Sequence, residues 1–587
     1  MLDAAMGSFY TRCHMFSNAL NYYEAAVKKG NKELRMEYGK LLVKLKRFDR
    51  AEVVLREIID EKDQGGDTQN DLVKVRAALS LAAVYEMLDT DMDERIRLWK
   101  ETYNRAESLQ TRSRNASTET MSEATEFSSR VLNALVDAYF KKREPKQAIQ
   151  LLKQALTSFP PAESPSLLCL LSSAHLQSAD VTEAYRTIRE AQKLQPDFRQ
   201  VYLISADIAI RRKDFDHAVT LYREFLAKFP EDYVNIAEVA PSLARLGSIQ
   251  VLRKHLDELS NSVTVRHSPG YSLCEGLCLR YTGSIEAATK VLKTVLQGKS
   301  QLSAPAGKAL VEMLCNFDFE MAGSQSLPSS STTTAHDLTK RCEEIYQSIS
   351  ESLRKSNPGD AVLLSLPVLY GGDVPRLQAL IDQHKATVSN ENMPPSIGFL
   401  LASAYLLLGS KDEGVAVLRH FEKTYWNKKD ADYLERMWLL LADSQDITRR
   451  SDEVAQLIFR AVEYNRASYL TNMYEGFHCG STNHAKAAEC FRRAMEATGG
   501  RDFVSGERYV WSQLNAHRPM EAIDGLAALE RSCEAVTQGM KQPGSNVMTT
   551  VHMLRRRALA GLALRPEESG GRPDGESIRR HSRSITT

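Results

Sequence analysis

A pattern of about 34 residues recurs along this chain, and no other feature limits its fold as strongly. In VLNALVDAYFKKREPKQAIQLLKQALTSFPP, from Val131, one helical face carries Leu132, Leu135, Val136 and Tyr139. A second face carries Ala148, Leu152 and Ala155, and Pro160 follows. The same residue types return as Leu168, Leu171, Ser172, His175, Ala184, Ile188, Ala191 and Pro196, and again as Tyr202, Ala206, Ala218, Tyr222, Phe225 and Pro230. Apolar residues at i, i+3, i+4 and i+7 make an amphipathic helix, and a following proline stops it because the next turn has no N–H to donate. The offsets describe two antiparallel helices with large residues filling the space between them and a small residue at the point of closest approach. A lone helix pair of this kind cannot bury both of its faces, so each repeat requires its neighbours.

Weaker copies extend the pattern in both directions. Tyr10, Ala19, Tyr23 and Ala26 form one, and Tyr38, Gly39, Leu42, Phe48, Ala51 and Leu55 the next. Later copies include Ala82 and Tyr85; Gly276, Ala288 and Leu292; Ala402, Tyr405 and Leu418; Trp438, Ala442, Ile458 and Ala461; Gly476 and Ala488; and Ala522. About a dozen repeats with almost no strand signal predict an all-α tetratricopeptide-repeat solenoid, a superhelix of antiparallel helix pairs. Ala148, Ala184, Ala218, Gly276, Ala288 and Ala442 are the expected close-approach positions. Polar stretches at 60–71 and 110–123 are expected to be loops. The low-complexity segment SQSLPSSSTTTAHD at 324–337 is expected to link a first arm, 1–323, to a second, 338–565, and 566–587 to be a disordered tail. The tail's RRHSRS segment offers serines to phosphorylation, although a solvated basic tail is the simpler reading.

Charge and composition exclude several roles. Lysine plus arginine number 76 against 75 aspartate plus glutamate, for a net charge of +1. Such a balance gives no reason to expect a nucleic-acid partner. The longest apolar run, FLLASAYLLLG at 399–409, is far shorter than the roughly 20 residues that span a bilayer, so direct membrane insertion is not expected. The N-terminal MLDAAMGSFYTRCHMF holds an acid at position 3 and no signal-peptide core. Nine cysteines without framework spacing fit reduced core residues of a cytosolic protein, which leaves the sequon at Asn115 without consequence.

Enzyme motifs are absent: there is no Gly-x-Ser-x-Gly, His-Glu-x-x-His, Cys-x-x-Cys or Gly-x-Gly. The GKS at 298–300 lacks the first glycine of a phosphate loop, since Lys293 stands there. Cys274 and Cys278, one helical turn apart, have no second pair or histidine at zinc spacing and are expected to be buried and inert, as is Cys479 between His478 and His484. No cofactor, metal or catalytic residue is expected. Basic residues recur at the turn between paired helices: Lys44, Lys46 and Arg47; Lys141, Lys142 and Arg143; Arg211, Arg212 and Lys213. Cations favour helix C-termini, which is the preferred reading, and a ridge that docks an acidic partner is the alternative.

Irregular places carry a more specific resemblance. PGYSLCEGLCLRYTGSIEAA from Pro269 resembles a stretch in the tetratricopeptide repeat protein 21 family that leads into Tyr-Thr-Gly. WNKKDADYLERMWLLLADSQ from Trp426 is similar to a segment of that family at Trp426, Asn427, Asp430, Ala431 and Trp438 to Asp443. LRMEYGKLLVKLKRFDRAEVVL from Leu34 and the C-terminal RALAGLALRP resemble two further segments, in the same order, so the likeness runs from about residue 3 to 566. It covers the C-terminal half of the family's longer chains, so Met1 is open to being other than the native start. The loop at 324–337 and the tail after Pro566 have no counterpart in the family. The resemblance implies a non-enzymatic scaffold subunit of intraflagellar transport complex A. It would bind the other subunits, and ciliary cargo or adaptors, and support retrograde transport and delivery of proteins to the cilium. The implied location is the cilium or flagellum and its basal body, with a cytoplasmic pool. A generic repeat adaptor of another complex, and the regulatory solenoid of an enzyme whose catalytic domain lies elsewhere, are the alternatives.

The repeat physics is measurable at Ala218. A large charged residue there is expected to force the paired helices apart at a cost of roughly several kcal/mol, read as a lower urea midpoint.

Overall fold

The computed structural model describes residues 2–29, 34–61, 68–88, 92–113, 118–158, 165–298, 302–322, 335–348, 360–385, 393–424, 426–445, 451–500, 502–537, 553–556 and 558. Among them every regular element is a helix, and successive helices pack as antiparallel pairs. The clearest pairs are Pro165–Gln177 with Val181–Leu194, Arg199–Arg211 with Phe215–Lys228, Pro269–Tyr281 with Ile285–Gln297, and Tyr469–Cys479 with His484–Ala497. Each second helix also packs on the following pair, which makes an all-helical repeat solenoid.

Helix starts are set locally. Asp180 and Asp214 accept from the backbone N–H three residues on, as do Ser268, Ser451 and Asn483, so a cap side chain satisfies one orphan donor at each. Of the polar stretch at 110–123, expected to be a loop, 114–117 lie outside the described residues. Helix Met92–Ser113 runs into it from one side and Thr118–Lys141 starts within it on the other. Gln110, Arg112, Glu119, Met121 and Glu123 are good helix formers, and they carry the two helices into the polar stretch from both sides. Within 60–71, helix Phe48–Asp60 ends and Thr68–Leu88 begins, and 62–67 lie outside the described residues. So do 324–334 of the expected linker and the whole of 566–587, while helix Ala335–Ser348 begins at the linker's end.

The core is a row of apolar clusters that follows the chain. The largest draws on described residues from Tyr202 to Ala494, so Leu310 and Phe317 before the linker share it with Leu338 and Cys342 after it. Small residues stand where helices touch. Ala148, Ala184, Ala218, Ala288 and Ala442 are fully buried, and a Cβ placed on Gly276 would fall 2.7 Å from Leu292 Cδ2. Gly476 meets Phe491 in the same way, at 2.6 Å. Gly276→Val is therefore expected to overpack its helix pair and lower stability by about 1–3 kcal/mol, measured by chemical denaturation beside the native chain.

Candidate functional site

Several turns between paired helices close alike. Past the first helix an N–H returns to a carbonyl five residues back: Glu144 to Tyr139, Asp214 to Ala209, Ser248 to Leu243 and Ser284 to Leu279, at 2.8–2.9 Å. This closure places the preceding residue in the left-handed region, and those residues are Arg143 (φ 61°), Lys213 (φ 65°), Gly247 (φ 73°) and Gly283 (φ 79°). For a residue with a side chain that conformation costs about 1 kcal/mol, so Arg143 and Lys213 occupy it at a disadvantage to the fold.

These four apices share a setting. The superhelix brings the chain back beside itself, and the four apices lie against connections from a later turn. Arg143 Nη2 donates to Asp430 Oδ2 at 2.8 Å, across 287 residues of sequence. Lys213 Nζ pairs with Glu463 at 2.7 Å. A Cβ placed on Gly247 falls 3.6 Å from Ala467 Cβ, and the Ala467 N–H donates to the Arg245 carbonyl at 3.4 Å. A Cβ on Gly283 falls 3.0 Å from the Thr498 carbonyl carbon and 3.1 Å from the Gly499 nitrogen. Where the two turns meet backbone to backbone the apex is glycine, and where a gap remains it is a long cation. Stacking reinforces the contact: the Arg211 guanidinium lies 5.9 Å from the Trp426 ring centroid, and that of Arg466 lies 4.2 Å from that of Phe215.

Beneath this seam lies a set of charges whose arginines are buried and whose acids are buried or half-buried. Arg245, at the end of helix Tyr233–Arg245, gives two N–H groups to Asp432 Oδ1, at 2.7 and 3.2 Å. Asp432 stands in the first turn of helix Ala431–Ser444, where Arg436 donates to its backbone carbonyl and to that of Phe317. Burial alone would raise the Asp432 carboxyl, but Arg245 and Arg436 outweigh it and hold the group below the ordinary carboxylate range. Arg280, with only 4% of its side chain exposed, is clamped by Asp318 through two bonds of 2.7 Å and by Glu312 through a third. Glu435 accepts from Asn465 and from Ser468, and burial pushes its carboxyl up to about 6, against the pull of Arg436 and of those donors.

The basic turns singled out from sequence do not present one open strip. Lys141 pairs with Asp137, Lys142 with Asp93 and Glu144, Arg143 with Asp430 and Lys213 with Glu463. Arg211 stacks near Trp426, and Arg212 lies 4.7 Å from the Tyr185 ring centroid. In the first of these turns Lys44 lies over Phe16. The close-approach residues are interior and line no surface. Cys274 and Cys278 are buried in helix Pro269–Tyr281, with burial pushing the Cys278 thiol up to about 11. Among the described residues no group of three or more His, Cys, Asp or Glu is placed to hold a metal, and no helix is long and apolar enough to cross a membrane. Sequence reasoning named Asp430 only as part of a family resemblance and did not select Asp432, Glu435 or Glu463. Its one available signal was charge on an apolar face: Glu435 and Arg436 interrupt the run ADYLERMWLLLAD.

Three family models match in order along the chain. They describe the fourth ARM domain of Tetratricopeptide repeat protein 21, over residues 2–156, the TT21 fifth ARM repeats domain, over 199–314, and the C-terminal ARM domain of the same protein, over 332–529. Among curated relatives, Tetratricopeptide repeat protein 21A of Homo sapiens is 26% identical over 542 residues, which is 89% of this chain and 40% of that protein. The Tetratricopeptide repeat protein 21 homolog of Caenorhabditis elegans is 24% identical over 534 residues, with the same shares. The chain thus spans 40% of the length of these relatives. Among solved structures, that of the APC/C hetero-tetramer Cut9-Hcn1 is similar at 10% identity and a TM-score of 0.33, covering 86% of this chain and 95% of that one.

Glu435 gives the seam a pH signature. Its native pKa of about 6 lies above the ordinary 4.5, so at neutral pH the fold holds a charged carboxylate that the unfolded chain accommodates more easily. As pH falls through 6 the folded state binds the proton first, and stability rises until about pH 4.5, by about 2 kcal/mol in all. Asp432 acts in the opposite sense, with stability present above the ordinary aspartate pKa of 3.8 and lost below it, outside that window. Glu435→Gln is expected to be the more stable chain at pH 7.5 and to lose the rise between pH 7 and 5, as measured by urea midpoints across that range.

Proposed function

The chain belongs to the tetratricopeptide repeat protein 21 family, and on that premise we propose that it serves as a non-enzymatic scaffold subunit of intraflagellar transport complex A. In this role it supports retrograde transport and the localisation of proteins to the cilium through protein–protein binding. It works at the cilium or flagellum and its basal body, with a cytoplasmic pool. Its partners are the other subunits of that complex, with ciliary cargo or adaptors bound in addition.

The observation that carries this reading is the ordered run of three models from one family, laid over helix pairs that recur among the described residues of the matched region. A solenoid offers partners long helix faces and edges, and affinity on such surfaces comes from a few buried aromatic or arginine anchors rather than from total area. Tyr222 and Trp438 are not such anchors, because both are buried and bonded internally, Tyr222 to Asp207 and Trp438 to the Phe421 carbonyl.

The test is mass spectrometry of proteins that co-purify with an endogenously tagged copy from flagellated cells. Recovery of the other complex A subunits in amounts comparable to the tagged chain is the expected result. Recovery of chaperones alone, or of an unrelated assembly, would overturn the proposal and leave a generic adaptor as the better reading.

A further inference from the structure

We propose that the seam between successive turns of the superhelix is a reversible latch, one that separates under charge screening while every repeat stays folded. The basis is a contrast between two kinds of contact. Along the chain each helix packs on its neighbours through continuous apolar surface, as in the cluster from Tyr202 to Ala494. Across the seam no helix of Arg199–Tyr281 packs extensively on a helix of Ala431–Ala497. Cap cations, carboxylates, two stacked guanidiniums and glycine-to-backbone approaches make the contact instead.

Each of these ion pairs also has one member that water reaches, while Glu463 and Arg245 are 14% and 9% exposed. The Lys213 side chain is 57% exposed, and Arg143 and Asp430 are 29% and 18% exposed. Pairs of that kind are weak singly and are screened by salt. Arg245 with Asp432 is the deepest of the set, and the Asp432 side chain is still 38% exposed, within reach of water. The apices that hold the latch are closed by bonds internal to their own repeats, so they keep their shape when the turns part. All the carboxylates of these pairs lie on the later turn, Asp430, Asp432 and Glu463, and all the cations on the earlier one, Arg143, Lys213 and Arg245. Opening therefore uncovers three cations on the earlier turn and three carboxylates on the later one, beside Arg466. Arg143 and Arg245 are largely covered when the latch is closed and become accessible to an acidic partner when it opens, whereas Lys213 is half-exposed already. This holds whichever assembly the chain serves.

The geometry supplies its own probe. The 3.6 Å between the Cβ position of Gly247 and Ala467 Cβ is within the range a disulfide spans. In the full chain carrying Gly247→Cys and Ala467→Cys, mild oxidation at low ionic strength is expected to form the 247–467 cross-link, identified by peptide mass spectrometry. At about 1 M NaCl, where the Debye length is about 3 Å, the cross-linking rate is expected to fall by about tenfold. Asp430→Lys with Glu463→Lys should slow it similarly at low salt, and adding Arg143→Asp with Lys213→Glu should restore it. Small-angle scattering of the unsubstituted chain should show a larger radius of gyration in high salt with unchanged helical circular dichroism. This second measurement does not depend on the cysteine variant folding. Cross-linking and dimensions that ignore both salt and the lysine substitutions would overturn the latch and make the seam a fixed interface. Loss of cross-linking only together with helicity would overturn it too, since the seam would then belong to the folding core. So would failure to cross-link at low salt.

Discussion

Two helices lie side by side in this chain because one presents a small residue where the other presents a large one. Gly276 faces Leu292, Gly476 faces Phe491 and Gly398 faces Phe421, each so closely that a Cβ on the glycine would stand less than 3 Å from its neighbour. That approach sets the distance and angle of a helix pair, and stacking similar pairs adds a small rotation at each step. The rotation accumulates until the chain lies alongside itself, with partners 187 to 287 residues apart in sequence. The seam is thus a product of the repeat geometry: apices that are neighbours along one turn become docking points for the next.

Charge at such a seam does more to set register than to add stability. Burying an arginine and an aspartate together returns little net free energy, because desolvation opposes their attraction. Removing one partner is more costly, because it leaves the other buried and unpaired. A slip of the later turn by a single repeat would separate Arg245 from Asp432, Lys213 from Glu463 and Arg143 from Asp430 together. Gly283 adds a steric condition, since only a residue without Cβ lets the Thr498–Gly499 backbone approach that apex. Attraction at three points and close contact at a fourth select one stacking of the turns.

The repeats were legible in the sequence because their physics is local. Periodic apolar residues, a small residue at fixed spacing and a proline after the second helix need only a window of one repeat to be seen. Ala148, Ala184, Ala218, Gly276, Ala288 and Ala442 were readable for that reason, and each lies inside the packing. At 110–123 helix reaches in to Ser113 and starts again at Thr118, farther than the polar composition suggests, because residues of high helix propensity stand at both ends. The seam was half legible. Its cations stand at recurrent turn offsets, whereas Asp430, Asp432 and Glu463 become their partners only after several repeats of accumulated rotation. No local pattern carries the sum of those rotations, so a lysine on a free turn and one facing a later carboxylate read alike.

Helix Ala431–Ser444 is where the two scales meet. Its first turn carries Asp432 toward the guanidiniums of Arg245 and Arg436, while Glu435, less than one turn on, faces the neutral Asn465 and Ser468. The two carboxyls are driven in opposite directions by these surroundings, one held ionised and the other pushed toward neutrality. Farther along, the same helix buries Trp438 and the leucines 439 to 441, with the indole N–H given to the Phe421 carbonyl of the preceding repeat. One rigid element therefore holds the seam at its start and the repeat core along its length. A displacement at Arg245–Asp432 is carried by that helix into the packing around Trp438, and a change in that packing is felt at the seam.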